Sequence, residues 1–220
     1  MNRFKWRAWC RSKLHCTVEN FWKKVIFSDE TQIVLGKGSK VHVWWKECEQ
    51  WAPYCLGEGR DWQPRVVASV MFWGYITHEG VGTFVPVDGT INSEKYIQIL
   101  DDNLWPVAAK HFLHNPWIFQ DDNATPHRSR ITTQWKQDNN LPVMTWPAQS
   151  PDINIIENLW RYLKIRLQRR AHLIRSKKDL INTATSIWTS MTPTFIKSLN
   201  SSIPKRIRNV LRVNGAITNY

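Results

Sequence analysis

Three carboxylates in this sequence stand where two apolar runs end and one helix begins. Asp29 closes the run Val25-Ile26-Phe27-Ser28, Asp122 closes a second run that starts at Trp117, and Glu157 opens a long amphipathic stretch. Short apolar runs bounded by polar residues predict buried strands. If the two strands are neighbours in one sheet, Asp29 and Asp122 emerge side by side, and a helix across that edge brings Glu157 to them. Three such groups repel one another unless a cation compensates. Mg²⁺ (or Mn²⁺) does so, taking carboxylate oxygens together with phosphate oxygens of a substrate. Two such ions activate water against a phosphodiester and stabilise the oxygen that leaves.

Nearby residues compete with these roles or assist them. Strand alternation sets Ile118, Gln120 and Asp122 on one face and Phe119 and Asp121 on the other, which favours Asp122 over Asp121. His127 either touches phosphate or metal, or caps its own segment. Asp29 has a plain alternative as the start of a turn with Glu30 and Thr31. Glu157 has one too, because Asn154 at N-cap with Glu157 at N3 is a capping-box pattern. Asp152 reads as a loop or cap residue.

The elements that must position these groups follow from periodicity. Residues 3–24 read as a basic helical segment with Phe4, Ala8, Arg11 and Leu14 at helical spacing. Gln32 to Leu35 continues the first strand, Gly36-Lys37-Gly38 makes a turn, and Val41 to Trp45 is another strand. Residues 46–64 read as a long loop, a length that is uncommon inside a domain unless it has a function. Val66 to Tyr75 and Gly82 to Val87 are strands. Ser93 to Phe112 is helical, with Pro106 expected to kink it and Asp101 and Asp102 on its polar side. His127 to Gln137 suits a helix and Leu141 to Trp146 a strand. Ile156, Leu159, Trp160, Leu163 and Leu167 mark an amphipathic helix whose outer face carries Arg161, Lys164, Arg169 and Arg170, the candidate DNA contacts. Lys177 to Ser190 and Pro204 to Val213 are further helices, the last ended by Asn214-Gly215. Strands first, then alternating helix and strand, then helices: this is a mixed α/β domain with antiparallel and parallel parts.

Composition narrows the partner. The chain has 220 residues, 42% of them hydrophobic, enough to bury a core. It has no apolar run of 18 residues, which argues against a membrane span, and its basic start lacks the apolar segment of a secretory signal. The net charge is +12, distributed as +6 over residues 1–24, −6 over 25–160 and +12 over 161–220. Basic ends suit a polyanion; an acidic middle suits metal binding. Cys10, Cys16, Cys48 and Cys55 form no C-x-x-C pair, and reduced thiols are expected. The 14 tryptophans are expected in core or interface, with Trp44, Trp45 or Trp51 as candidates for stacking on unpaired bases.

The segments VIFSDET (25–31), WIFQDDNATPH (117–127) and WPAQSPDINIIENLW (146–160) resemble the catalytic motifs of Tc/mariner-superfamily DNA transposases, closest to the Tc-type branch. Thirty-four residues separate Asp122 from Glu157, the spacing that branch shows. VENFWKKVIFSDE and PKRIRNVLRVNGAITNY also look like the family, so the resemblance runs from about residue 5 to the C-terminus. The sequence departs from the pattern at Ile155, where the family usually has Pro, at Asp121, where Gln is common, and at EGRDWQPR, which replaces a glycine-rich stretch.

The resemblance implies a ribonuclease-H-like fold with a mixed five-stranded sheet flanked by helices. It implies a basic helical linker over 1–24, a catalytic domain over 25–185 with a clamp-type loop at 46–64, and a basic helical segment over 186–220. Asp29, Asp122 and Glu157 become the catalytic, metal-binding triad, served by two Mg²⁺ or Mn²⁺ ions and no small-molecule cofactor. Activated water cuts DNA at transposon ends, and the 3′-hydroxyl attacks target DNA at TA. Partners are double-stranded DNA and a second copy of the chain in a homodimer; the compartment is the nucleus. The family's two helix-turn-helix modules have no counterpart here. The alternatives are a ribonuclease-H-like nuclease that only hydrolyses, and a transposase-derived protein that binds DNA without cutting it.

Overall fold

The computed structural model describes residues 3–37, 65–112, 115–147 and 152–216. Val25–Lys37 forms β1, Arg65–Thr77 β2, Gly80–Val87 β3 and Ile118–Gln120 β4, in the sheet order β3-β2-β1-β4. β1 runs antiparallel to β2, with Asp29 opposite Gly74, and β2 antiparallel to β3. β4 lies parallel to β1, with Phe27 opposite Gln120. Two residues further along that register come Asp29, inside β1, and Asp122, just past the end of β4.

Strand alternation then sorts the apolar side chains into two cores. Val25, Phe27, Ile33 and Leu35 face one side and pack with α1 (Arg3–Ser12), α4 (Ile156–Arg169), α5 (Lys177–Thr189) and α6 (Pro193–Arg212). Ile26, Trp73, Tyr75 and Phe119 face the other side and pack with α2 (Ser93–Phe112) and with Trp135 of α3 (Arg130–Asp138). Five tryptophans, Trp6, Trp22, Trp73, Trp160 and Trp188, are wholly enclosed. Each such ring buries enough surface for roughly 4 kcal/mol of transfer free energy. Ile156, Leu159, Trp160, Leu163 and Leu167 are the buried stripe of α4, at the expected helical spacing.

Several elements differ from their sequence expectation. The fifth strand, Leu141 to Trp146, is reduced to one parallel bridge between Val143 and Phe119. β4 is only three residues long and Pro142 has no N–H to offer, so there is little ladder to extend. Gly36 and Lys37 belong to β1, beyond a register shift after Leu35, rather than to a turn. α2 continues through Pro106, held by Leu104 and Val107, which are buried on either side of it. α3 starts only at Arg130, because Ser129 caps it and His127 sits in a preceding 3₁₀ turn. α6 begins eleven residues before Pro204. Thr192 caps its start by accepting from Phe195 N–H at 3.3 Å, with Pro193 in the first turn. In α1 the packed face is Trp6 and Cys10, and Phe4 is exposed. α6 ends as expected, with Asn214 and Gly215 at φ of 53° and 76° and Gly215 N–H donating to Val210 O.

Cys10 and Cys16 are buried free thiols. The strand at 41–45, the 46–64 loop, Gly38, Cys48, Cys55, Trp44, Trp45 and Trp51 lie outside the described residues. Among the described residues no helix is long and apolar enough to cross a membrane.

Candidate catalytic site

Asp29 shares strand parity with Val25 and Phe27, so it points to the face covered by α4. Gly74 stands opposite it, and a Cβ there would meet the Trp160 ring at 3.0 Å and Phe84 at 3.3 Å. The glycine therefore leaves room for Trp160, whose indole Nε1 donates to Asp29 Oδ2 at 2.9 Å. Glu157 sits one turn earlier on α4, near enough for its charge to act on Asp29.

The predicted capping box does not form. The N-cap is Ile155, with helical backbone and no side-chain cap bond. Asn154 Oδ1 reaches only Ile156 N–H, at 3.4 Å, and Glu157 turns to Asp29 instead of back to the chain.

Asp122 leaves the end of β4 into different surroundings. His127 Nδ1 lies 2.7 Å from its Oδ1, and Ala124 N–H donates to the same oxygen at 2.8 Å. His127 Nε2 faces Glu30 Oε1 at 3.4 Å, and its ring stacks on Tyr96 with centroids 3.8 Å apart. Glu30, Asp122 and His127 each bring one ligand atom within 4.8 Å of the others, an arrangement able to hold an ion to which Asp29 and Glu157 do not belong. Asp121 turns the other way: its Oδ2 accepts from Tyr96 Oη at 2.9 Å and pairs with Lys136. Strand parity explains the split, since Glu30 and Asp121 both face α2 and α3.

These surroundings drive the carboxyls apart in acidity. Burial pushes Asp29 well above the usual carboxylate range, and the charges of Glu157 and Glu30 add to it against the Trp160 bond. Burial also raises Glu157, helped by the Asp122 charge and opposed by Lys164 and the Asp29 bond. For Asp122, burial is outweighed by His127 and the Ala124 N–H, and the net shift is downward. Burial works against charging His127, but Asp122 and Glu30 outweigh it and raise its pKa to about 10. At neutral pH the site therefore holds an Asp122–His127 ion pair beside an Asp29–Glu157 pair that resists full ionisation.

This donor set fits a hard divalent cation. The donors are carboxylate oxygens, and two of them carry unfavourable negative charge that a cation relieves. Asp122 acts on Glu157 through its charge, while its own hydrogen bonds go to His127 and Ala124.

Four exposed cations along α4 and at its C-cap fall into two groups. At about 100° per residue, Arg161 and Lys164 lie on the helix face of Glu157, about 40° and 20° from it. Arg169 and Arg170 lie about 120° and 140° away. All four are exposed.

Sequence reasoning passed over Glu30, Tyr96, Trp160 and Lys136. Trp160 read as core, which it also is; its spacing of three residues from Glu157 was the available signal. Glu30 lies beside Asp29 in the chain, but its partner His127 is 97 residues away and only the β1–β4 pairing joins them.

A family model described as DDE superfamily endonuclease matches residues 24–181. The chain is 30% identical to the transposable element Tcb1 transposase of Caenorhabditis briggsae, over 90% of this chain and 71% of that protein. Among solved structures it is similar to the Mos1 transposase catalytic domain with Raltegravir and Mn, with a TM-score of 0.74 and 16% identity over 99% of this chain and 96% of that one. It is also similar to Mos1 transposase in a paired-end complex with the left transposon end, with a TM-score of 0.75 and 16% identity over 98% of this chain and 63% of that one. The chain thus spans less than two thirds of that longer Mos1 chain. It shares the ribonuclease-H-like α/β fold of these neighbours, with four strands among the described residues.

Proposed function

This chain belongs to the DDE superfamily endonucleases, and from that premise we propose that it works as the catalytic domain of a Tc-type DNA transposase. Asp29, Asp122 and Glu157 are its acidic triad. Its substrate is double-stranded DNA, first at transposon ends and then at a target TA step, and it acts as a homodimer. We assign its work to the nucleus, the compartment that holds a eukaryotic host's chromosomes.

The observation that supports this reading most is the acidic cluster: burial and neighbouring acids raise Asp29 and Glu157, while His127 and a backbone N–H hold Asp122 low. Divalent cations bound there, Mg²⁺ or Mn²⁺ as a pair, supply activation of water and stabilisation of the leaving oxygen. The protein's own contribution is position. Trp160 orients Asp29, and His127 with the Ala124 N–H orients Asp122. α4 delivers Glu157 and, on the same face, Arg161 and Lys164 for the phosphates flanking the scissile bond. Arg169 and Arg170 extend the basic surface away from the site. Water attacks phosphorus and the bond to the 3′ oxygen breaks, leaving a 3′-hydroxyl. That hydroxyl attacks a target phosphodiester in turn, so one strand is joined as another is cut.

Supercoiled plasmid and a labelled oligonucleotide duplex with a free 3′-hydroxyl test the reading in Mn²⁺. The expected result is nicking plus joining of the label to plasmid, both lost in Asp122→Ala. Nicking without joining would assign the chain to the hydrolytic nucleases. DNA binding with neither would make it a transposase-derived binding protein.

A further inference from the structure

α6 reaches the start of α4 with one side chain. Arg206 is buried, a rare place for a guanidinium. Its Nη1 donates to Asp152 O at 3.0 Å, its Nη2 to Asn158 Oδ1 at 2.8 Å and its Nε to Ser202 Oγ at 2.8 Å. The first two acceptors bracket Glu157: Asp152 lies five residues before it and Asn158 directly after. A rigid planar fork therefore spans the turn that leads into α4. Charge-assisted hydrogen bonds of this kind are about twice as strong as neutral ones. The turn needs such a tether, because the N-cap Ile155 makes no side-chain cap bond and the Asn154 contact to Ile156 N–H is long. Residues 152–156 are all buried, so a shift of the turn would have to disturb packed groups.

We propose that Arg206 is a positioning residue for Glu157. By holding the chain on both sides of Glu157, it sets the translation and rotation of the first turn of α4. Glu157 and Trp160, three residues apart, then meet Asp29 together. The proposal rests on the assignment of Glu157 to the acidic site. Arg206 lies outside the matched span of residues 24–181, so the working site extends into the C-terminal helix.

The test compares Arg206→Gln, Arg206→Lys and Asn158→Ala with the wild type. The readouts are the ¹⁵N-edited resonance of the Trp160 indole N–H, Mn²⁺ affinity by calorimetry, and plasmid nicking in Mn²⁺. In Arg206→Gln the indole resonance moves, Mn²⁺ binding weakens, and the nicking rate at saturating DNA falls about 10- to 100-fold, the range that misplacement by an ångström produces. The KM for plasmid stays within about two-fold, as expected of lost positioning rather than lost substrate binding. Lysine does not rescue, because it keeps the charge and loses the fork. Asn158→Ala, which removes only the contact beside Glu157, moves the indole resonance the same way by less, and it decides the matter if Arg206→Gln does not fold. Folded variants with a wild-type indole resonance and wild-type Mn²⁺ affinity would overturn the proposal. If the wild type neither binds Mn²⁺ nor nicks DNA, the acidic-site reading falls, while the indole resonance still decides whether Arg206 positions α4.

Discussion

Asp29 sits within β1 and Asp122 two residues past the end of β4, yet their surroundings raise the pKa of the first and lower that of the second. Around Asp29 the groups are Glu157, Glu30 and the indole of Trp160, with no cation to balance them. Around Asp122 the groups are His127 and a backbone N–H, and Lys136 adds positive charge from α3. Around Asp122 positive groups favour the charged carboxylate, and around Asp29 burial and other acids disfavour it, a cost that a bound cation would relieve. The difference does not come from strand parity, which the two share, but from what packs on each: α4 brings another acid and an indole to Asp29, while the 3₁₀ turn after β4 brings His127 to Asp122 and α3 adds Lys136.

Removing either acid should have the largest effect. Asp29→Asn and Asp122→Ala are each expected to lower Mn²⁺-dependent nicking by about 10³-fold, the scale for losing a group on which metal catalysis depends. Nonspecific DNA affinity, read by mobility shift, should stay level in Asp29→Asn and stay level or rise slightly in Asp122→Ala, which removes a negative charge.

The histidine side gives the next effect. His127 is raised from 6.5 to about 10. Its contribution to stability is therefore fully present below pH 6.5 and is lost as pH rises through about 10. His127→Gln should cost about 1 kcal/mol by leaving half-exposed Asp122 and partly buried Glu30 without their partner. Melting curves from pH 6 to 11 should show the wild type and the variant converging at the alkaline end. A constant gap would mean that His127 packs on Tyr96 without pairing.

On the DNA side, the double variant Arg161→Ala, Lys164→Ala should weaken plasmid binding about ten-fold at 0.15 M salt. It should flatten the slope of log K against log salt by about 2, one counterion per lost phosphate contact. The Arg169→Ala, Arg170→Ala pair should reduce affinity while leaving the nicking rate at saturation unchanged.

The smallest effect separates the two acids by sign. Asp29 is raised above 3.8 in the fold, so its contribution is present below that value and lost as pH rises; near neutrality the metal-free protein carries a penalty. Asp29→Asn should raise the metal-free melting temperature by about 3 °C, the equivalent of roughly 1 kcal/mol for a domain of this size. Asp122→Asn should lower it by a similar amount.

The strands and the helix that carry the three acids were legible in the sequence because short apolar runs and a 3.6-residue stripe are local signals. The parallel pairing of Val25–Phe27 with Ile118–Gln120 had only to be supposed to bring Asp29 and Asp122 together. What stayed hidden depends on contacts between residues far apart in the chain. Glu30 meets His127 only across the sheet edge. Gly74 matters only because a tryptophan from α4 lands on it. Arg206 carries no local signal of its own in a helix expected to begin at Pro204; α6 starts at Pro193 and buries that residue. The capping-box pattern at Asn154 and Glu157 was a local signal too, and the acid across the gap won over it.

The most direct test of the metal-completed acidic cluster is a calorimetric Mn²⁺ titration of the wild type and Asp29→Asn, each alone and with a short DNA duplex. The expected result is binding by the wild type that vanishes in the variant under both conditions, even though the variant melts at a higher temperature without metal. Equal Mn²⁺ binding by the two proteins, or none by the wild type even with DNA present, would contradict it.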